Sequence, residues 1–340
     1  MKRIAVVLFN LGGPDNMDAV KPFLKNLFSD PAIIRLPALV RLPLARFIAS
    51  RRHKKAAGIY EKIGGGSPIV ALTQDQASAL EQEFSGEVKC FVSMRYWHPF
   101  AEGTALAVKR YAPDEIVLLP LYPQFSTTTS ASSLHVWRQA AQAAGIDAPV
   151  RTICCYPEEP GFIAAMEKSI RPIYQRAAAR GRPRLLFSAH GLPEKVIRDG
   201  DPYQWQCEKT AAALARNLGL APGDWVLGYQ SRVGPLKWIG PSTESEIMRA
   251  AADKVPLVIA PIAFVCENSE TLYEIDLLYR DLAEASGVPY FDRAPAVGTA
   301  PDFIRGLAGL VRQALESRSN CLSAGASCSP AFSGCAKCAG

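Results

Sequence analysis

Three segments of the 340-residue chain occur twice, in the same order each time. "LFNLGGPD" at 8–15 is echoed by "LFSAHGLPE" at 186–194, "SMRYWHP" at 93–99 by "QSRVGP" at 230–235, and "IVLLPLYP" at 116–123 by "LVIAPIAF" at 257–264. Each is an apolar, β-branched run ending in Gly, Pro or a polar turn, as expected of a parallel strand buried on both faces. Between them lie helical stretches such as "TQDQASALEQEF" and "CEKTAAALARNLG", the second stopped by Gly219. Strands alternating with helices require parallel sheets covered by helices, and the ordered repetition predicts an α/β chain of two similar, doubly wound domains.

The length suits about two domains of ~150 residues, placed at 1–150 and 151–316, with a tail at 317–340. The intervals are unequal. Gly13 and Arg95 are 82 residues apart, Gly191 and Arg232 only 41, so the first half carries an insertion at about 28–67. The insertion interleaves Leu, Ile, Val and Phe with Arg35, Arg41, Arg46, Arg51, Arg52, Lys54 and Lys55, and its early prolines predict short pieces. It is read either as an extra helical pair or as a lip whose apolar face meets a greasy ligand or bilayer while its cations meet phosphates or carboxylates.

A net charge of +6 is modest for this size and gives no warrant for nucleic-acid binding. The apolar run Val255–Cys266 is too short to span a bilayer and contains Pro256 and Pro261. "MKRIAVVLFNLGGPD" passes straight into a turn and is read as a first strand rather than a signal peptide. Nine cysteines without an export signal then point to a reducing compartment, where clustered thiols are metal ligands more often than disulfides. Neither GxGxxG nor GxxxxGK[ST] is present, so no nucleotide is expected.

Ligands of parallel sheets bind beyond the carboxyl ends of the strands, which is where His190 should project. A lone histidine can equally be structural. "PIAFVCENSETLYEID" spaces Glu267, Glu270 and Glu274 by three and four, predicting a row of carboxylates on one helix face. Such a row is either a solvated face suited to the helix dipole or, opposite an imidazole, a place to bind a divalent cation or move protons.

"NLGGPD", "EKIGGGSPI", "SMRYWHP", "LYPQFSTTTSASS", "FSAHGLP", "GDPY", "YQSRVGPLKWIGPSTE" and "ETLYEID" together resemble the ferrochelatase family, from residue 8 to about 276. The resemblance implies two Rossmann-like domains of chelatase type and an enzyme, a lyase, that inserts Fe²⁺ into protoporphyrin IX with release of two protons, the last step of haem synthesis. His190 and Glu270 match the family's active-site pair, for catalysis and for holding the iron, and Glu274 extends an acidic relay. The two are expected on opposite faces of the flat ring. Leu11, Trp238 and Phe264 match pocket walls, and Arg51, Arg52, Tyr60, Ser67 and Arg95 match polar positions near the propionates or the lip. In relatives the lip also lies against a membrane, which implies a cytoplasmic protein peripheral to the inner membrane; a homodimer is compatible with the pattern. The alternatives are a coproporphyrin III ferrochelatase and a porphyrin-binding, haem-binding or redox-sensing homologue without turnover. One position departs from the pattern: Asn268 stands where the family usually has histidine, and an amide cannot carry a proton at neutral pH.

In the tail, Cys321, Cys328, Cys335 and Cys338 are spaced C-x6-C-x6-C-x2-C. Four thiolates suit tetrahedral zinc or a [2Fe–2S] cluster. The resemblance favours the cluster. Animal relatives take one ligand from the position of Thr127, so all four ligands here are expected from the tail.

Overall fold

The computed structural model describes residues 2–232, 234, 236–317, 321–323 and 332–334. The chain divides into two compact units. The first comprises Met1–Tyr122, Ser126–Cys154 and Leu310–Leu322, and the second Pro123–Phe125 and Cys155–Gly309 with the described residues from Ser323 on.

In the first unit the elements run β1 (Ile4–Asn10), α1 (Val20–Ser29), α2 (Ala38–Lys62), α3 (Ile69–Gln82), β2 (Val88–Met94), α4 (Ala101–Tyr111), β3 (Glu115–Pro120), α5 (Ser130–Ala143) and β4 (Val150–Cys155). In the second they run α6 (Pro160–Ala178), β5 (Arg184–His190), α7 (Glu194–Arg198), α8 (Tyr203–Leu218), β6 (Trp225–Gln230), α9 (Thr243–Ala252), β7 (Leu257–Pro261), a π-helix (Glu270–Tyr279), α10 (Arg280–Ala285) and β8 (Phe291–Arg293). Helix α11 (Pro301–Glu316) and the short β9 (Cys321–Ser323) follow.

The first sheet has the order β2-β1-β3-β4-β9 and the second β6-β5-β7-β8. Counting the first four strands of each sheet in chain order, both read second, first, third, fourth, so the repeated landmarks reflect a repeated topology. Ladders β1–β2, β1–β3 and β3–β4 are parallel, as are β5–β6, β5–β7 and β7–β8. Every residue of β1, β3 and β7 is buried, as continuous apolar runs between helical layers require. Phe9 meets Trp137 edge to face in the first core, and Leu186, Ile259, Ile275 and Tyr279 anchor the second. A domain boundary at 150 would cut β4 from its sheet, because Val150 pairs with Ile116; an apolar sequence run does not reveal its partner strand.

The insertion differs from the expected short pieces. Residues 31–37 form turns, and a single 25-residue helix, α2, follows with Pro43 inside it. Proline forfeits one backbone bond and crowds the preceding turn, but Pro43 lies near the exposed N-terminal end, beside Leu39 at 91% exposure. Helix α2 buries Ala45, Ala49 and Tyr60, and Tyr60 packs with Val20, Phe23 and Leu24 of α1. Two glycines lock the insertion to the end of β1. A Cβ on Gly13 would lie 2.6 Å from Ser67 Oγ, and one on Gly66 would lie 2.6 Å from the Asp15 carbonyl oxygen.

Candidate active site

In the second unit the carboxyl ends of β5, β6 and β7 converge. His190 closes β5, Gln230 closes β6 in register with it, and Pro261 ends β7 beside Ser188. The loop after β7 returns the chain to the same end, where Glu270 opens the π-helix. The wider turns of π-helices often mark functional sites. His190 Nδ1 lies 3.7 Å from Glu270 Oε1, with the imidazole 38% and the carboxyl 20% exposed. Burial raises the Glu270 pKa above the ordinary carboxylate value, His190 pulls it down and Glu274 pushes it up.

This distance corrects the expectation that His190 and Glu270 flank opposite faces of a ring. A flat macrocycle between them would need two van der Waals contacts of about 3.5 Å each, about 7 Å in all. The pair instead presents a nitrogen and an oxygen side by side, because neighbouring strands β5 and β7 deliver them to one point.

Glu274 is held by a half-buried cradle. Its carboxylate accepts from Gln230 Nε2 at 2.9 Å, from the Ser231 backbone N–H at 3.1 Å, from the Ser231 hydroxyl and from the Tyr279 hydroxyl at 3.3 Å. Ser188 donates to Gln230 Oε1 at 2.7 Å, which turns the amide nitrogen toward Glu274 and toward the Glu270 backbone carbonyl at 3.1 Å. Ser231 has φ +63°, an uncommon conformation for a residue other than glycine.

Glu267 does not join the row. It lies in the loop before the π-helix, where Arg293 Nη1 reaches both its oxygens at 3.0 Å while Arg293 also grips Asp276. The spacing of three and four signals one face only where a helix exists, and this helix begins after Glu267. Asn268 fills the turn instead. Its Oδ1 accepts from the backbone N–H of Glu270 at 2.8 Å and of Thr271 at 3.2 Å, capping the π-helix. Among the wall residues, Phe264 is half-buried, and Trp238 pairs with Pro193 and packs beside Gly191, where a Cβ would lie 3.4 Å from its ring. Trp238 Nε1 is buried without a hydrogen-bond partner among the described residues.

In the first unit, strand registers identify equivalent positions. Phe9 faces Pro120 as Ser188 faces Pro261, which sets Leu11 at the place of His190 and Arg95 at that of Gln230. The "SMR" and "QSR" segments had suggested Arg232 as the counterpart of Arg95; the ladder assigns Gln230. Arg95 Nε donates to Ser132 Oγ and its Nη2 to buried Asp30, both at 2.7 Å. Asp30 Oδ2 also accepts from the Tyr96 and Ser132 hydroxyls. Each half thus uses the residue after its second landmark strand, or ending it, to hold an acid. Arg51 and Arg52 are exposed on α2, over the rings of Phe47 and Phe28. Tyr60 sits in the α1–α2 core, Leu11 is half-buried and Ser67 abuts Gly13.

Sequence reasoning missed Gln230, Ser231, Tyr279 and Asp30; only the quoted "QSR" offered a signal. Of the four tail cysteines, Cys321 falls in β9 and Cys328, Cys335 and Cys338 lie outside the described residues. Among the described residues no three His, Cys, Asp or Glu side chains form a metal cage, and no helix is long and apolar enough to cross a membrane.

Paired parallel sheets of one topology define a chelatase-type α/β protein. Solved structures share this fold: the sirohydrochlorin chelatase SirB of Bacillus subtilis subspecies spizizenii in complex with cobalt (TM-score 0.55, 11% identity, 94% of this chain and 97% of that one) and SirB of Bacillus subtilis with Fe³⁺ (0.54, 12%, 92% and 96%). The ferrochelatase family profile matches residues 3–315. Ferrochelatases of Caulobacter vibrioides and Phenylobacterium zucineum are 53% and 51% identical over 319 residues, 92% of this chain and 91% and 92% of theirs. That of Hyphomonas neptunium is 49% identical over 98% of this chain and 94% of its own. The chain belongs to the ferrochelatase family, porphyrin metal chelatases that insert iron into porphyrin for haem synthesis.

Proposed function

We propose that the chain inserts Fe²⁺ into protoporphyrin IX, with His190 and Glu270 acting on one face of the ring. The observation that carries this reading is the 3.7 Å approach of an imidazole and a carboxyl whose burial favours its protonated form. One group takes a pyrrole proton while the other offers a ligand atom to the incoming dication, and Glu274 receives protons leaving the pair. Leu11, Trp238 and Phe264 are proposed as apolar wall by resemblance. Arg51, Arg52, Tyr60, Ser67 and Arg95 are proposed at the propionate rim by resemblance. Of these, exposed Arg51 and Arg52 have the greater freedom to offer a two-pronged donor, since Arg95 already serves Asp30.

The test is anaerobic turnover with Fe²⁺ and protoporphyrin. Multiple-turnover haem formation, lost in His190→Ala and Glu270→Gln, is expected; a shifted porphyrin spectrum without turnover would make the protein a binder. Preferential turnover of coproporphyrin III in competition would overturn the substrate choice.

The tail is proposed, by the family resemblance, to hold a [2Fe–2S] cluster through Cys321, Cys328, Cys335 and Cys338, whose spacing alone suits zinc equally. Four thiolates would supply a redox-active centre. A red-brown spectrum of anaerobically isolated protein with two irons per chain supports it, and one zinc with no visible absorbance refutes it. The exposed apolar and basic face of α2 is proposed to hold the protein at the inner membrane surface from the cytoplasmic side.

A further inference from the structure

Inserting a dication into a porphyrin expels two pyrrole protons per turnover, and the hydrogen bonds behind Glu274 do not end there. Tyr279, fully buried, places its hydroxyl 3.3 Å from Glu274 Oε1 and 3.3 Å from Glu244 Oε1. Glu244 is half-buried in the first turn of α9, a helix capped by Ser242, where the amide dipoles favour a carboxylate. A phenol has one proton to donate. It therefore cannot satisfy two ionised carboxylates at once; both contacts are hydrogen bonds only when one carboxyl carries a proton and donates it to the phenol oxygen. The three groups are arranged to hold one extra proton between them.

Resting on iron insertion as the reaction, we propose that Tyr279 and Glu244 form a proton exit that carries protons reaching Glu274 out to solvent. In the step, the Glu274 O–H bond breaks as its proton joins the Tyr279 oxygen, while the phenol's own proton moves to Glu244. Tyr279 stays neutral throughout, and Glu244 then releases the proton to water. Burial, with the charges of Glu274 and Glu244, drives the phenol pKa well up, opposed by the Ser231 backbone N–H, so a free tyrosinate plays no part. The remaining neighbours of Tyr279 in its cluster are apolar, among them Leu186, Ile247, Ile259 and Phe291.

The experiment compares wild type, Tyr279→Phe and Glu244→Gln in anaerobic haem formation, reading kcat against pH, the solvent deuterium isotope effect, KM for Fe²⁺ and porphyrin binding by fluorescence quenching. Both variants are expected to lose at least about tenfold in kcat and to show a larger isotope effect and an altered pH profile, with KM for Fe²⁺ and porphyrin binding unchanged. Wild-type kcat and isotope effect in both variants overturn the relay, as does a rise in KM for Fe²⁺ that accounts for the whole loss. If Tyr279→Phe does not fold, half-buried Glu244→Gln decides alone. Absence of haem formation by the wild type defeats the underlying reaction instead.

Discussion

The side chain of Asn268 holds the backbone N–H of Glu270 at 2.8 Å, and that bond ties the start of the π-helix to the loop before it. The amide stops one residue short of the helix, where orphan N–H groups need an acceptor. A carboxamide oxygen serves two of them at once, those of Glu270 and Thr271. Asn268→Ala should therefore cost about 1 kcal/mol of stability and, by loosening Glu270, about tenfold in kcat. Asn268→Asp should retain most of the stability because its oxygens remain. Thermal unfolding alongside haem formation checks both, and an alanine variant as stable as wild type would remove the capping role.

The buried state of Glu270 has a pH signature. Its pKa is raised in the folded protein, chiefly by burial, so the folded state holds this proton more tightly than the unfolded chain does. The associated stability is fully present below the unfolded carboxylate value and is lost as pH rises through the folded one. Glu270→Gln escapes that loss. Its thermal midpoint should exceed wild type by on the order of 1–3 °C at pH 8 and match it near pH 4, while activity falls by about 10²-fold or more. A variant less stable than wild type at pH 8 would contradict the assigned burial cost.

Asp30 anchors the start of the insertion to the end of β2. Its Oδ2 takes Arg95, Tyr96 and Ser132 together, and its side chain is only 2% exposed. Removing one partner of a buried pair strands the other charge, so Asp30→Ala should destabilise by about 3–5 kcal/mol. Asp30→Asn, which keeps an oxygen acceptor, should lose less. Urea unfolding of the two variants tests the ordering, and equal losses would mean that the retained oxygen acceptor contributes nothing once the charge is gone.

The strands were the most legible part of the sequence because a parallel strand buried on both faces needs a continuous apolar run, as in Ile4–Asn10 and Leu257–Pro261. Helix α8 was legible through Gly219, whose φ of +71° suits its cap position. His190 and Glu270 could be paired because the landmarks end strands and strand ends share one edge. Their separation could not, since it depends on β7 lying next to β5. Glu267 was misread because helical spacing does not announce where the helix starts. Pro43 misled because its cost depends on how exposed its turn is. Glu244 and Tyr279 are 35 residues apart, and no local pattern connects them.

The N-terminal part of α2 is left with apolar side chains in water: Leu39, Val40, Leu42 and Phe47 are exposed, at 91%, 54%, 47% and 58%. The same helix carries Arg46, Arg51, Arg52, Lys54 and Lys55, and Arg51 sits over the Phe47 ring at 5.3 Å. Burying one such leucine or phenylalanine in a bilayer interface is worth about 1.5–3 kcal/mol, and each cation near an anionic surface about 1 kcal/mol. The protein should therefore float with vesicles containing phosphatidylglycerol, less with purely zwitterionic ones, and release as salt rises. Leu39→Asp with Phe47→Asp should abolish flotation, whereas Arg51→Gln should weaken binding only about fivefold. These side chains lie on the exposed side of α2, so the double variant should keep the wild-type melting temperature. Undiminished flotation of that variant, or none by the wild type, would leave the exposed face of α2 without a membrane role.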